Sequence, residues 1–328
     1  MEQMRDIVFG SLGVSAQRLT VALSASSPRS FLAVGFPLQS LTRNAALVLC
    51  LVFLSSQKVS AQEIDLRIFD YSIVDSATVA LQVPANTSSA ELANLLTHGL
   101  NTEQERFRAI FIWIAHNIEY KWGSYGSDPD RILKRKKAVC EGYATLLTSL
   151  CSAAGIECRT VHGFAKSFAD LHAELDLSKP NHAWNAVKLH GKWHVTDVTW
   201  AAGGYDMKKR KFFREYNEVY FLPLPERFIW NHYPADPEWK LCDVNLSKKQ
   251  FNKLPVFYNS CLRLGVAPIS GARAKLGNRL DVEIASDFPI TKATLRYGTG
   301  SDFIAVNVEP TERGYRLTCK VPKDTRGV

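Results

Sequence analysis

The chain has 328 residues, of which 46% are hydrophobic and 22% charged, a composition that suits a globular protein of two domains plus appendages. The net charge of +8 is modest for this length, and the one dense basic run is the four residues 134–137. A nucleic-acid footprint needs a larger basic surface, and the sequence has no zinc-finger, recognition-helix or RNA-binding aromatic pattern. Composition therefore argues against nucleic-acid partners.

The N-terminal segment has the pattern of a secretory signal peptide. The apolar run 45–54 follows Arg43, and small residues at 59–61 form a cleavage site before Gln62. This run is too short to span a bilayer, which takes about 20 residues. We therefore expect a signal peptide over about 43–61, a secreted or periplasmic protein, and no stable membrane insertion after cleavage. The preceding 44 residues are unusually long for this kind of leader.

Six cysteines follow the predicted cleavage site: Cys140, Cys151, Cys158, Cys242, Cys261 and Cys319. An even number in an exported protein is typical of disulfides, but the irregular spacing and the size of the chain leave the pairing open. The sequence has no CxxC pair and no His/Cys cluster with zinc spacing. We expect no metal and no cofactor.

The first half of the chain predicts an extended lead followed by two helices and a strand. Residues 64–83 alternate loosely between apolar and polar, which favours strands or an extended lead up to residue 100. Thr102 and Glu105 have capping-box spacing. The apolar residues that follow recur every three or four positions and predict an amphipathic helix: Phe107, Ile110, Phe111, Ile114 and Ile118. A loop over 123–130, a second helix over 138–154, a strand over 157–164 and a polar loop over 167–180 come next.

The second half is richer in strands. Two β-rich runs in 181–200 flank His190-Gly191, which predicts a hairpin. Prolines then mark an extended segment that ends the domain: Pro223, Pro225, Pro234, Pro237 and Pro255. Short alternating runs at 279–286, 292–299 and 316–321 predict a β-sandwich. The expected divisions are a leader over 1–61, the extended lead over 62–100, a first domain over 101–255 and the sandwich over 256–328.

Cys140 is the residue that carries the chemical hypothesis. Most buried cysteines act only as small hydrophobic residues. Cys140, however, lies at the start of the second predicted helix, where the partial positive charge of the helix end favours thiolate over thiol. The basic run 134–137 acts in the same direction, more weakly because solvent screens it. Cys151, in the middle of the same helix, should be unreactive.

The hairpin provides a base for this thiol. A two-residue turn pairs Leu189 with Lys192, and continuing the ladder places His182 and Asp197 diagonally on one face, with β-carbons roughly 7–8 Å apart. In this register Trp184 lies opposite Asp197, and His182 lies opposite Thr199. A three-residue turn would place the two on opposite faces.

The roles that follow are a nucleophile at Cys140, a general base at His182 and an orienting carboxylate at Asp197. A lone strand histidine is more often a surface residue or a satisfied core residue. Three other histidines are alternatives that lack a matching aspartate: His162, His190 and His194.

Two stretches resemble the core of the transglutaminase-like superfamily: "AVCEGYATLLTSLCSAAGIECRTVHGF" at 138–164 and "NHAWNAVKLHGKWHVTDVTW" at 181–200. The most similar members are of the kyphoscoliosis-peptidase type and the bacterial transglutaminase-like proteins. The resemblance covers roughly 103–243 and includes "HYPADPEWKL" at 232–241. It implies an α+β fold with a papain-like core, in which the helix bearing the cysteine packs on an antiparallel sheet. An Ig-like β-sandwich, short of one strand, would follow.

The resemblance also implies a Cys140–His182–Asp197 triad that works through a thioester, with water or an amine as acceptor. Two departures lower the odds of calcium-dependent cross-linking: Ala138 replaces a frequent glycine, and Glu141 replaces the tryptophan of animal transglutaminases. Trp122 is an oxyanion candidate, although its spacing from the cysteine is short, and the backbone N–H of Cys140 is another.

The predicted function is cysteine-dependent acyl transfer or hydrolysis at amide bonds of a peptide or protein substrate. One alternative is a catalytically idle scaffold or binding protein. Another is a thiol acyltransferase of the arylamine acetyltransferase type.

Overall fold

The computed structural model describes residues 66, 69–123, 126–166, 175–206, 209–253, 265–269, 279–286, 288–296 and 303–320. These residues belong to one compact unit. The predicted signal peptide at 43–61, its cleavage site before Gln62, and Cys261 lie outside them. In the part of the chain that the structure describes, no helix has the length and apolar character needed to cross a bilayer.

The first half of the described chain is mainly helical. Its elements are α1 (Ser72–Ala80), α2 (Ser89–Thr97), α3 (Glu103–Asn117), β1 (Glu119–Tyr120), α4 (Pro129–Arg135), β2 (Lys137–Ala138), α5 (Cys140–Ala153) and β3 (Cys158–Ala165).

The second half begins with a hairpin and continues in short elements. They are β4 (His182–Leu189), β5 (Lys192–Thr196), α6 (Val198–Ala202), β6 (Gly203–Asp206), β7 (Lys211–Arg214), a 3₁₀ turn (Glu218–Tyr220), α7 (Pro225–Phe228), β8 (His232–Pro234), a second 3₁₀ turn (Pro237–Lys240) and α8 (Lys248–Lys253). The C-terminal strands are β9 (Ala267–Pro268), β10 (Arg279–Ala285), β11 (Ala293–Arg296), β12 (Phe303–Thr311) and β13 (Gly314–Lys320).

The extended lead predicted over 62–100 is wrong, because α1 and α2 occupy most of its described part. Helix α2 begins with a complete capping box between Ser88 and Glu91. Helix α1 buries only Val74 and Thr78, four residues apart. So few buried positions give a periodicity too weak to be distinguished from alternation.

Helix α3 begins as predicted, with a capping box between Thr102 and Glu105. Every residue from 107 to 115 is buried, however, so the helix runs through the core instead of presenting one face to it. It packs against α1, α2, α5 and α6. Its Arg108 is buried and forms paired hydrogen bonds with both Asp75 and Glu218 at 2.6–2.9 Å. This cation therefore ties α1 to the 3₁₀ turn that follows the hairpin.

The central sheet has the antiparallel order β5-β4-β3-β8, and α5 packs on β3 and β4. The predicted two-residue turn is confirmed: Leu189 pairs with Lys192, and the ladder continues to Asn185 opposite Thr196. Both turn residues, His190 and Gly191, have positive φ (50° and 78°), as a type I′ turn requires. The expected helix on an antiparallel sheet is therefore present.

The ladder ends at Asn185–Thr196, three pairs earlier than predicted. Asp197 is the N-cap of α6 and not a strand residue, so the expected Trp184–Asp197 pairing does not form. The proline-rich segment also does more than cross the surface, because His232–Pro234 forms β8 and pairs with β3. As a result, the side chains of Asp197 and His232 both lie near the N-terminal end of β4.

The described C-terminal strands form a single antiparallel sheet with the order β11-β12-β13-β10-β9. Three of its strands fall at predicted positions, whereas β9 and β12 were not predicted. A hydrophobic cluster joins this sheet to the preceding region, with Leu280 and Ile284 in the same cluster as Phe164, Tyr233 and Phe251. The domain boundary at residue 255 stays a prediction.

Candidate active site

Cys140 is the first residue of α5, where the first N–H groups of a helix have no partner within the helix. The residues that lead into α5 form β2, which pairs in parallel with β1 and places Ala138 opposite Tyr120. Gly142 lets α5 begin close to α4, because a β-carbon there would lie 2.8 Å from the β-carbon of Ala138 and 3.1 Å from Ile132. The helix start is therefore fixed by close packing and strand pairing.

His182 begins β4, and its Nε2 lies 2.7 Å from Oδ2 of Asp197. The other carboxylate oxygen, Oδ1, accepts hydrogen bonds from the backbone N–H groups of Thr199 and Trp200 at 2.8 and 3.0 Å. Asp197 is completely buried. One carboxylate thus caps α6 with one oxygen and orients the imidazole of His182 with the other.

The sulfur of Cys140 lies near the imidazole of His182 and the backbone N–H of Ala183, and both favour its ionised form. Because Asp197 occupies Nε2 of His182, Nδ1 is the ring nitrogen left to interact with the sulfur. Cys140 and His182 therefore lie together with Asp197 in one row, which runs from the start of α5 across the edge of the sheet to the start of α6.

Electrostatics in this row favours the charged forms. Burial alone would raise the pKa of Cys140, but the hydrogen bond and charge of His182 lower it below its ordinary value. Burial alone would lower the pKa of His182, but the Asp197 carboxylate and the contact with Cys140 raise it to about 10. Burial opposes ionisation of Asp197 as well, and the two histidines beside it lower its pKa nevertheless. All three shifts thus run toward the thiolate, the imidazolium and the carboxylate.

His232, for which no role was predicted, also contacts Asp197. Its Nε2 lies 3.0 Å from the same oxygen, Oδ2, that His182 contacts. The sequence signal was present in the "HYPADPEWKL" motif, but nothing in it indicated which residue the histidine would meet. Ligand atoms of His182, Asp197 and His232 lie within 4.8 Å of one another. Hydrogen bonding accounts for that closeness, and we assign no metal to it.

Trp122 is 59% exposed, and its ring meets Tyr120 edge-on with centroids 6.1 Å apart. Tyr120 is close enough to the nucleophile to respond to its charge: burial raises the pKa of Tyr120, and the charge of Cys140 raises it further. The oxyanion role of Trp122 stays a prediction.

The alternative histidines have other partners. His162 pairs with Glu141 at 2.8 Å, both half exposed. His190, in the hairpin turn, hydrogen bonds to Gln104. His194 lies opposite Val187 on β5.

The cysteines within the described residues are all free thiols: Cys140, Cys151, Cys158, Cys242 and Cys319. Three of them have raised pKa values. For Cys151 the shift comes from burial and its contact with Cys158. For Cys242 and Cys319 it comes mainly from burial.

Comparison with known proteins identifies the family of this region. Residues 90–198 match the model of the transglutaminase-like superfamily. Human kyphoscoliosis peptidase is 40% identical over 178 residues, which is 52% of this chain and 27% of that protein. The Lim and transglutaminase domain protein ltd-1 of Caenorhabditis elegans is 28% identical over 199 residues, 56% of this chain and 28% of its own. The chain thus spans about a quarter of the length of these curated relatives.

Among solved structures, the periplasmic domain of TgpA from Pseudomonas aeruginosa is similar at 20% identity, with a TM-score of 0.28, over 41% of this chain and 49% of that one. That likeness is too distant to support an argument. The sequence matches are enough to assign this region to a family. Residues 90–198, which contain Cys140, His182 and Asp197, belong to the transglutaminase-like superfamily.

Proposed function

We propose that this protein is a cysteine-dependent enzyme that transfers or hydrolyses acyl groups at amide bonds of peptide or protein substrates. The observation that carries the proposal is the row of Cys140, His182 and Asp197, in which His182 is hydrogen bonded to Asp197. A thiol at a helix N-terminus, in contact with an imidazole that a buried carboxylate orients, is the arrangement that nucleophilic catalysis needs. Similarity to kyphoscoliosis peptidase supports the same general chemistry.

The first half-reaction forms a thioester. The Cys140 thiolate attacks the carbonyl carbon of the amide, and a tetrahedral oxyanion forms. Backbone N–H groups in the first turn of α5 are suited to stabilise this charge. The C–N bond then breaks as Nδ1 of the His182 imidazolium gives its proton to the departing amine. The enzyme is left as an acyl-thioester with a neutral His182.

The second half-reaction releases the acyl group. His182 takes a proton from water or from an incoming amine, which attacks the thioester carbonyl, and the C–S bond breaks to restore the thiolate. Asp197 remains ionised throughout and stabilises the imidazolium. Water gives hydrolysis and an amine gives transamidation. Glu141, in the position of the transglutaminase tryptophan, favours hydrolysis in this proposal.

The reactivity of the thiol tests the mechanism without a known substrate. At about pH 6 an ordinary thiol with a pKa near 8.5 is almost fully protonated and alkylates slowly. We expect iodoacetamide to label Cys140 selectively at this pH, and His182→Ala to abolish that selectivity. Equal, slow labelling of all accessible cysteines in the native protein would indicate an idle scaffold.

The acceptor is tested on peptide and protein substrates. Release of ammonia or of a peptide fragment indicates hydrolysis, whereas incorporation of a small labelled amine indicates transamidation. Cys140→Ala is the control for both, since it removes the nucleophile. If the activity of Cys140→Ala equals that of the native protein, a contaminant is responsible and the proposal is rejected.

Two further expectations belong to this proposal. The pattern at 43–61 supports export to the periplasm or the medium, which cell fractionation with and without residues 1–61 would test. The C-terminal antiparallel sheet supports an Ig-like β-sandwich over 256–328, with protein contact as its role. A variant that ends after residue 255 would then keep thiolate reactivity and lose affinity for a protein substrate.

A further inference from the structure

A second imidazole contacts the carboxylate of Asp197. His232 is the first residue of β8 and is 1% exposed. Its Nε2 lies 3.0 Å from Oδ2 of Asp197, the oxygen that already accepts a hydrogen bond from His182 at 2.7 Å. A carboxylate oxygen can accept two such bonds. The triad mechanism uses only one of them, so the contact with His232 needs its own explanation.

The charge state of His232 follows from its surroundings. Burial lowers its pKa to about 4, because the attraction of Asp197 offsets the loss of hydration only in part. The titratable groups that face the ring are Asp197, His182 and Tyr220, the last two with ring centroids 5.4 and 6.0 Å away. His232 is therefore neutral at neutral pH and carries one proton. Since Nε2 faces a carboxylate, the proton is on Nε2, and Nδ1 must accept a hydrogen bond.

Asn231 is the partner of Nδ1. Its side-chain amide lies with Oδ1 2.6 Å from Nδ1 of His232, while its Nδ2 is buried with no hydrogen-bond partner. Two acceptors cannot form a hydrogen bond. The two ends of an amide have nearly the same shape and are assigned by the bonds they make. Exchanging them places the Nδ2–H group on Nδ1 of His232 and gives the lone donor a partner. Asn231 then fixes the tautomer in which His232 donates to Asp197.

The aromatic residues around His232 hold the plane of its ring. The ring of Phe228 stacks on it, with centroids 4.0 Å apart and planes 13° from parallel. The ring of Trp200 meets it edge-on at 4.4 Å. Rotation of the imidazole would break both contacts, so the direction of the Nε2–H group is set by packing as well as by hydrogen bonding.

We propose that His232 is a positioning residue, whose Nε2–H group holds the Asp197 carboxylate in the orientation that keeps Nδ1 of His182 on the Cys140 sulfur. His232 does not touch the sulfur and takes no part in proton transfer. The inference rests on the proposed function, because it gives a purpose to the orientation of His182. The order of donation is Asn231 to His232, His232 to Asp197, and His182 to the same carboxylate.

The test compares two substitutions at His232 in the full chain. His232→Phe keeps a flat ring against Phe228 and removes the donor. His232→Gln retains an amide N–H that can reach the same oxygen. We expect the acid limb of the pH profile of Cys140 alkylation to move up by about one pH unit in His232→Phe, which is about a tenfold slower rate near pH 6. His232→Gln should restore most of the native profile.

Two more variants separate positioning from packing. Asn231→Leu does not touch Asp197 but frees Nδ1, so that the proton can move there and Nε2 loses its donor role. It should shift the profile in the same direction as His232→Phe. Phe228→Leu is the matched control, because it weakens packing on the same ring and leaves the hydrogen bonds intact. It should lower the unfolding temperature and move the profile less than Asn231→Leu does, because the hydrogen bonds still orient the ring.

Each of these results tests the proposed role of His232. A native profile in folded His232→Phe would overturn it, and so would equal shifts in His232→Gln and His232→Phe. If His232→Phe does not fold, the contrast between Asn231→Leu and Phe228→Leu decides, and equal effects of these two would overturn the proposal. Failure of the proposed function is distinguishable, since native Cys140 itself would then lack selective reactivity at low pH.

Discussion

The two cysteine thiols near opposite ends of helix α5 have pKa values shifted in opposite directions. Cys140 at the first position has a lowered pKa, and Cys151 near the last turn has one raised well above the ordinary value. The two residues lie about 16 Å apart along the helix axis. For both thiols burial is the largest single influence, and it opposes ionisation. The difference comes from their other neighbours.

Cys140 meets a buried imidazole, the N–H of Ala183 and the positive end of the helix, whereas Cys151 meets another thiol, Cys158. Burial without a charged partner makes a cysteine a small hydrophobic residue. Burial beside an oriented imidazolium makes it a nucleophile, because the weakly polarisable surroundings strengthen the attraction within the pair. The comparison predicts that the same substitution will have opposite consequences at the two positions.

The largest contrast is expected from serine at each position. Cys140→Ser should reduce amide turnover by about a thousandfold or more, since the nucleophile is lost, and change the free energy of unfolding by less than about 1 kcal/mol. Cys151→Ser should lower the free energy of unfolding by about 1–3 kcal/mol, because it buries a hydroxyl among apolar side chains, and leave turnover unchanged. Turnover assays and urea unfolding of both variants measure the contrast. Folded Cys151→Ser with slowed turnover would contradict it.

Removing the charge of Asp197 should make Cys140 behave more like Cys151. Asp197→Asn keeps the shape and the Oδ1 cap of α6 but no longer supports a charged His182, whose pKa falls from about 10 because burial then dominates. The acid limb of Cys140 alkylation should move toward about pH 8.5, a loss of about a hundredfold near pH 6. Asp281→Asn, at an exposed ion pair with Arg316 in the C-terminal sheet, is the matched control and should leave the profile unchanged.

The stability of the same variant depends on pH with a definite sign. The folded pKa of Asp197 lies below its unfolded value of about 3.9, so its contribution is present above that pH and is lost as the pH falls through the folded value. The folded pKa of His182 is about 10, above its unfolded value of about 6.5, so its contribution is complete below 6.5 and is lost as the pH rises toward 10. The deficit of Asp197→Asn in urea unfolding should therefore be largest near pH 5 and shrink toward pH 9. A deficit independent of pH would contradict this reasoning.

Contacts between residues close together in the sequence were predictable, whereas contacts between distant residues were missed. The cap of α3 and the turn at His190-Gly191 were predictable, since each depends on residues within a few positions. The approach of His182 to Asp197 was predictable because the turn sets the register, although Asp197 and helix α6 replace the last three predicted strand pairs. His232 was missed, because it reaches Asp197 only through the pairing of β8 with β3, where it lies opposite Ala165. No local pattern specifies such a contact.

The smallest effect concerns the basic run beside Cys140. Lys134 and Arg135 end helix α4 with exposed side chains, so solvent and salt screen their charges. Replacing both with glutamine should raise the apparent pKa of Cys140 by no more than about 0.3 at low salt. The shift should vanish at about 1 M salt, where charges interact over only about 3 Å. Iodoacetamide profiles at the two salt concentrations measure it. His182→Ala serves as the reference, because its effect arises inside the protein and should persist in high salt. A shift of a full unit that survives high salt would mean that the surface charges, and not the buried imidazole, distinguish Cys140 from Cys151.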